Sequence, residues 1–310
     1  MGNIMDWTRH IRLKHLPLLI TLGNTGSLSE TARLTYTTQP SLSRWLKELE
    51  EDVGGELFER HARGLRPTAL GHMLIAHARR IQTEVERAQQ NIEAVHEGAA
   101  ESVAIGTSPA SAPSFVPAAI GHFLELHPRS KVQVQENTMN ALLAKLKLGE
   151  LDVVVGRLDN YRPSLEFRSE QLYSERIRVV SRLSHPLAQR GKVSWDDLYD
   201  YDWIVWPDGT PIRTKLDAAL TRAGRKPPRY RVESTSQVGN LWLLQYTDMI
   251  SVASERVANH FNDRGLMEPL DIDIDSDEGS VGMCWREDVQ DEPTMVDLLN
   301  SFRESSARFI

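Results

Sequence analysis

The stretch SLSETARLTYTTQPSLSRWLKELEEDV, residues 27–53, constrains the fold more than any other: its caps and apolar spacing predict two short helices joined by a tight turn. Ser27 and Glu30 stand at capping-box spacing, so the serine oxygen can accept an orphan N–H of the first turn while the glutamate reaches back to the Ser27 N–H. The first helix therefore starts at Leu28, and Leu28, Ala32 and Leu34 form its apolar face. Thr35, Tyr36 and Thr37 then weaken helix propensity and mark the turn. Thr38 is the expected cap of the second helix. Pro40 falls in its first turn, where a missing N–H costs nothing because that donor has no intrahelical partner. Leu42, Trp45, Leu46, Leu49 and Val53 recur at steps of three and four and make one buried stripe.

The opposite face of the second helix carries Gln39, Ser41, Ser43, Arg44 and Lys47. At an exposed helix start, Gln and Arg match the adenine and guanine edges of a major groove, and Ser, Lys and the helix N-terminus match phosphates. A plain helical hairpin with a solvated face is the alternative for these two helices alone. The next residues shift the balance. After Gly54 and Gly55, ELFERHARGLRPT fits a small β-hairpin around Ala62, Arg63 and Gly64. It bears Arg60, Arg63 and Arg66, a set suited to clamping phosphates.

With a further helix over residues 11–22, this order of elements closely resembles the N-terminal winged helix-turn-helix domain of LysR-type transcriptional regulators. The resemblance rests on Gly26, Ser27, Ala32, Leu34, Gln39, Pro40, Ser43, Leu49, Glu50, Gly54, Leu57, Phe58, Arg60, Thr68 and Gly71 at fixed spacing. The chain departs from the family at Thr31, where a second alanine usually stands beside Ala32; a threonine there is expected to tighten or reposition the helix pair without removing a DNA contact. The resemblance implies that Ser27, Gln39, Pro40, Ser43 and Arg44 lie at the groove and that Arg60, Arg63 and Arg66 lie on the flanking backbone.

At 310 residues, 40% hydrophobic and 25% charged, the chain has the length and composition of two or three ordinary globular domains. No stretch approaches the roughly 18–20 consecutive apolar residues of a membrane span, and residues 1–8 are polar and lack a secretory pattern, so the expected location is the cytoplasm. A single cysteine, Cys284, excludes an internal disulfide; beside Val281, Met283 and Trp285 it reads as a buried strand residue. The net charge of −7 hides a division: residues 1–83 hold 11 Lys/Arg against 8 Asp/Glu, and the remainder holds 25 against 35. The positive end meets phosphate, and the rest repels it.

From Thr68 to Gly98 the sequence runs as one helix, with Leu74, Ala78, Ile81, Val85, Ala88, Ile92 and Val95 stepping by four and three. That is a coiled-coil seam, expected to pair two subunits, with an amphipathic helix packed on its own domain as the alternative. A dimer sets two recognition helices on half-sites about one or more helical turns apart, so the operator on double-stranded DNA is expected to be an imperfect palindrome. Beyond residue 98 the pattern changes to alternating strands and helices: SVAIG, KVQVQE and DVVVG are strands of a parallel sheet with helices between them, and RIRVVS, DWIVW, RYRVES, MISVAS and SVGMCW supply further strands. This body resembles the effector domain of LysR-type regulators, a two-lobed α/β fold like that of periplasmic binding proteins. Gln245, Tyr246, Thr247 and Asp248 replace the usual glycine-rich segment and resemble the branch related to galactose-binding-protein regulators. The expected division is 1–67 for the winged domain, 68–98 for the linker helix and 99–310 for the effector domain, with one lobe at about 99–170 and 280–310 and the other at about 171–279.

In such folds ligands sit between the lobes at the carboxyl ends of parallel strands. The loops there hold Thr107, Ser108 and Ser111, then Thr138, Arg157, Asp208 and Thr210, and finally Ser234 and Thr235. Hydroxyls and backbone N–H groups at helix starts favour an anionic or polyhydroxyl effector, and Arg157 or Arg213 is placed to pair with a carboxylate. The resemblance implies that effector binding shifts the lobes, then a dimer or tetramer, then contact with RNA polymerase. An enzyme and a cytoplasmic binding protein are the rival readings. Against the enzyme, no phosphate loop, nucleophile elbow or cysteine cluster occurs, and His72 and His77 are five apart and diverge around a helix. Asp271, Asp273, Asp275 and Asp277 lack the glycine and glutamate of an EF-hand loop. No cofactor, metal or membrane partner is expected.

Overall fold

A computed structural model describes residues 11–61, 64–96, 98–99, 101–109, 111, 113, 115–159, 167–272, 274 and 278–308. They form two compact units, Met1–Glu93 and Ala94–Ile310.

In the first unit a short 3-10 turn leads into α1 (Leu16–Thr25), α2 (Leu28–Leu34) and α3 (Gln39–Val53), then β1 (Phe58–His61), β2 (Gly64–Pro67) and the long α4 (Ala69–His96). Its core is Leu16, Leu19, Leu22, Leu46, Leu49, Leu57, Phe58, Leu74, Ile75 and Ala78. Ser27 caps α2 by accepting from Glu30 N at 3.3 Å, and Thr38 caps α3 by accepting from Ser41 N at 3.4 Å. The reciprocal half of the expected capping box is absent. The Glu30 carboxylate instead holds Arg33, at 2.6 Å to Nη2, while Ser27 N donates to Thr25 Oγ1 at 3.3 Å. Leu34 is also not on the buried face: it is 46% exposed, and Thr31 and Ala32 are buried in its stead. Leu28 to Leu34 is six residues, which carries Leu34 well off the side defined by Leu28 and Ala32.

Thr31 is fully buried with its hydroxyl 2.8 Å from Thr25 Oγ1, so the residue that departs from the family pattern ties α2 to the end of α1. Gly26, at φ +61°, ends α1, and its carbonyl accepts from Leu65 N at 2.7 Å, which fixes the β-hairpin against the α1–α2 turn. A side chain at Gly71 would overlap the Leu57 carbonyl oxygen, so only glycine lets α4 lie this close to the strand.

The second unit contains two five-stranded sheets. The first has order β4-β3-β5-β12-β6, where β3 is Glu101–Thr107, β4 Ser130–Glu136, β5 Val153–Arg157, β6 Phe167–Glu175 and β12 Gly279–Arg286. β3 runs parallel to β4 and β5, and β12 runs antiparallel to both β5 and β6. Alternate side chains feed opposite faces. Val153, Val155, Val281 and Met283 pack under α5 (Val116–Leu126) and α11 (Pro293–Arg308), and Val154 and Cys284 pack under α6 (Met139–Leu148).

The second sheet has order β11-β7-β10-β8-β9, from β7 (Ile177–Ser181), β8 (Trp203–Val205), β9 (Tyr230–Glu233), β10 (Ile250–Ser254) and β11 (Glu268–Pro269). β8 is parallel to β9 and β10, and β7 is antiparallel to β10. Trp203, Val205, Leu216 and Val252 pack on one face with α8 (Pro211–Arg222); Ile204, Leu241, Leu244 and Val257 pack on the other with α9 (Gln237–Tyr246) and α10 (Glu255–Asn262). A short α7 (Trp195–Leu198) precedes β8. The two sheets share one plan of three parallel strands extended by an antiparallel pair. The chain passes from the first to the second between Glu175 and Ile177, and is back in the first at Gly279.

Candidate functional site

Two surfaces gather the chemistry expected from the sequence. On the first unit, burial of Leu42, Leu46 and Leu49 turns the other side of α3 outward. Gln39, Pro40, Ser41, Arg44 and Lys47 are exposed and Ser43 is half-buried. Gln39 Oε1 accepts a long hydrogen bond from Ser29 Oγ at 3.4 Å, which orients its amide beside the start of α2. Lys47 Nζ is 3.6 Å from Glu51 in an exposed pair worth little in water, so the lysine is available to a stronger anion. Ser27 spends its hydroxyl on the cap, which leaves it at the surface start of α2 as a backbone-orienting group.

Arg60 and Arg66 are exposed on the hairpin. The register pairs Glu59 with Arg66 and Arg60 with Leu65, so the two arginines project from opposite faces of the ribbon. They do not make one patch. Arg63 lies outside the described residues.

On the second unit a cleft of about 360 Å³ opens between the two sheets. Of the residues expected there, Ser108, Thr138, Arg157, Asp208, Thr210 and Thr235 line it. They sit on the β3 loop, the start of α6, the end of β5, the loop before α8 and the loop after β9. Ser108 Oγ is buried and has no hydrogen-bond partner among the described residues. Gly156 makes room for it: a Cβ there would lie 2.7 Å from Ser108 Oγ and closer still to Met139 Sδ. Thr138 precedes α6 without a side-chain cap bond, so its hydroxyl and the first N–H groups of the helix are not satisfied by a cap. Thr210 Oγ1 donates to the Pro207 carbonyl at 2.7 Å, and Asp208 Oδ1 accepts from Gly209 N at 3.0 Å.

Four expected contacts fall outside this lining. Thr107 is the last residue of β3 and Ser111 packs inward beyond the loop; both are buried. Ser234 is taken up by the backbone, with its N–H on the Val205 carbonyl at 3.0 Å and its hydroxyl accepting from Ser236 N at 3.0 Å. Arg213 turns along its own helix to Asp217 at 2.9 Å, reaches the Trp206 carbonyl at 3.3 Å and stacks 4.3 Å from the centre of the Tyr230 ring. Its cation is used inside the second sheet's layer. The sequence reading missed the apolar lining: Met139, Leu143, Trp206, Pro211 and Ile212. These had the pattern of ordinary core residues, and their position at strand and helix ends was the only signal that they also face a cleft. Of the acidic run, Asp273, Asp275 and Asp277 lie outside the described residues.

Arg157 lines the cleft yet is only 2% exposed, because its guanidinium is already held. Nε donates to Asp159 at 3.0 Å, Nη1 to Glu175 Oε1 at 3.3 Å and Nη2 to the Glu175 carbonyl at 3.3 Å. Glu175 also accepts from Arg256 N at 3.2 Å. Burial pushes the Glu175 carboxyl above the ordinary carboxylate range, against the opposing pull of Arg157. Asp159 further faces Lys215 of α8 at 3.7 Å, so this cluster ties the two sheets together at the floor of the cleft.

Known proteins match both units. Residues 13–72 match the family described as bacterial regulatory helix-turn-helix protein, lysR family, and residues 96–307 match the LysR substrate binding domain. The chain is 30% identical over 297 residues to the HTH-type transcriptional regulator GbpR of Azospirillum brasilense, covering 96% of this chain and 87% of that one. It is 28% identical to PcaQ of Agrobacterium fabrum, covering 96% of each. The fold is similar to full-length CbnR in complex with its target DNA, with a TM-score of 0.64 at 19% identity over 95% of this chain and 100% of that one. It is also similar to full-length OxyR from Pseudomonas aeruginosa, with a TM-score of 0.60 at 21% identity over 95% of each chain. With both domains matched in order, the chain belongs to the LysR family: it is a DNA-binding transcriptional regulator with an effector-binding domain, and not an enzyme.

Proposed function

We propose that α3 enters the major groove with Gln39 and Arg44 at base edges, while Ser27, Pro40, Ser43 and Lys47 set its depth and Arg60, Arg63 and Arg66 hold the flanking phosphates. The observation that carries this reading is Arg44: it is exposed in the first turns of α3 and makes no hydrogen bond or ion pair among the described residues. An unspent planar donor at that position suits a guanine edge. Ile81, Val85, Ile92 and Val95 support subunit pairing through α4, since all four are exposed large apolar side chains on one seam. Two subunits then read an imperfect palindrome, as a dimer or as half of a tetramer, in the compartment that holds the DNA.

The effector belongs in the cleft, where Ser108, Thr138 and the start of α6 offer donors to a hydroxyl or carboxylate oxygen and Trp206 with Ile212 offers an apolar wall. Neutralisation of Arg157 by Glu175 and Asp159 favours a polyhydroxyl or singly charged molecule over a dianion. Binding that prefers one arrangement of the lobes over another would change the assembly and its contact with RNA polymerase, since only differential affinity moves an equilibrium. The test is recovery of fragments of sheared chromosomal DNA by the purified chain in excess competitor DNA at physiological salt. Enrichment of a few sites sharing an imperfect palindrome is expected. Indiscriminate recovery that vanishes with modest added salt would reduce the reading to electrostatics alone.

A further inference from the structure

The turn between α2 and α3 holds a residue whose side chain the unit itself does not use. Tyr36 is the single non-glycine residue at positive φ among the described residues, at +53°, and it is 99% exposed. A bulky side chain in the left-handed region is sterically costly, whereas Asn or Gly adopts it readily. A fully solvated ring offsets none of that cost by burial.

The turn uses its backbone, as the left-handed residue that ends α2, but not its side chain. Thr35 donates to the Thr31 carbonyl through both its N–H at 2.9 Å and its hydroxyl at 2.8 Å, and Thr37 N donates to the Ala32 carbonyl at 3.0 Å. Thr31 is anchored in turn to Thr25. These bonds fix the backbone on both sides of Tyr36, so the ring projects from a rigid point two residues ahead of the α3 cap, Thr38, and three ahead of Gln39. The turn accounts for the left-handed backbone, but not for a fully solvated tyrosine ring where Asn or Gly is cheaper; kept beside a binding surface, that side chain points to a use outside the fold.

We propose that Tyr36 is a positioning residue for DNA. Its ring packs on a deoxyribose of the strand beside the bases that α3 reads, and its hydroxyl donates to a phosphate oxygen, which sets how deeply α3 enters the groove. Sugar and phosphate contacts fix register and carry no base information. The proposal therefore predicts a loss shared by all sequences, unlike the loss expected at Arg44.

The test uses the full chain, a duplex selected by the wild-type protein from a randomised library, and an unrelated duplex of equal length. Tyr36→Asn removes both the ring and the strain. It is expected to weaken binding to both duplexes by the same factor, about 5–30-fold. The dependence of affinity on salt should keep its slope, because a neutral hydroxyl displaces no counterion. Its thermal midpoint should stay at or above the wild-type value, which separates lost binding from lost folding. Tyr36→Phe keeps the ring and should fall between the two. Binding by Tyr36→Asn within about twofold of wild type, a loss confined to the selected duplex, or a lowered midpoint would each overturn the proposal. The first of these would also leave the exposed ring to a protein partner such as the polymerase.

Discussion

Removing Arg157 should destabilise the effector domain far more than removing the charge of its partner. In Arg157→Met the Glu175 carboxylate, 2% exposed, loses its ion pair and the Nη1 bond at 3.3 Å, and keeps the Arg256 N–H, the Ser254 side-chain bond and the Arg256 charge. Breaking one side of a buried pair costs about 3–5 kcal/mol, and these surviving partners put this case near the lower end, about 3 kcal/mol. In Glu175→Gln, Arg157 retains Asp159 at 3.0 Å and the residue-175 carbonyl at 3.3 Å, and the amide oxygen can still accept, so the cost is about 0–1 kcal/mol. The sign with pH follows from burial. Because the folded Glu175 pKa is raised, its contribution is fully present below the unfolded carboxylate value and is lost as pH rises through the folded one. Wild type should therefore lose stability relative to Glu175→Gln across that window, and Arg157→Met should lose more. Urea unfolding followed by the fluorescence of the buried Trp203, Trp206 and Trp285 measures all three proteins. Equal midpoints for Arg157→Met and Glu175→Gln at neutral pH would refute the reasoning.

Three further outcomes follow from the same geometry. Arg44→Ala should cost about 1–3 kcal/mol on the selected operator and relax its preference at one base position, whereas Arg66→Ala should weaken all duplexes alike and reduce the salt slope; competition binding at several salt concentrations separates the two. Gly71→Ala, forced against the Leu57 carbonyl, should destabilise the winged unit by about 2–3 kcal/mol, read from its thermal midpoint, with wild-type stability as the contrary result. The Cys284 thiol is fully buried and burial pushes its pKa up to about 12, so it should resist a thiol-disulfide reagent at pH 8 until the chain is unfolded in urea.

The winged unit was legible because local chemistry writes it. Ser27, Thr38 and Pro40 mark helix starts regardless of what packs around them, and the leucine spacing of α3 names its buried face. Leu34 misled because hydrophobicity alone placed it inward, while the helix angle gave that side to Thr31, a residue whose hydroxyl is satisfied only by Thr25 across the turn. In the effector domain β6 and α10 escaped notice. FRSEQLYSE buries only Tyr173 and Glu175, and ERVANHFN, although amphipathic, is only eight residues long. The cleft was half legible: its hydroxyls sit in recognisable loops, but whether Arg157 and Arg213 are free depends on Glu175, Asp159 and Asp217, and only the folded chain brings Glu175 to Arg157. Trp206 and Met139 could not be told from core residues because they are core residues that end at a cavity.

The chain crosses between the two sheets at two places among the described residues, and the crossings are neighbours: Arg176 Nε, between β6 and β7, lies 4.0 Å from Glu278 Oε1 at the return. Two ties side by side act mechanically as a hinge plate and not as a swivel. Rocking about the line through both would strain them less than twisting or sliding, which would stretch one tie against the other. The Asp159–Lys215 pair is a further link between the lobes, so an occupant of the cleft that strengthens or breaks it would bias that rocking. A receptor wired this way can change its ligand by editing side chains in the cleft without changing the kinematics of its signal.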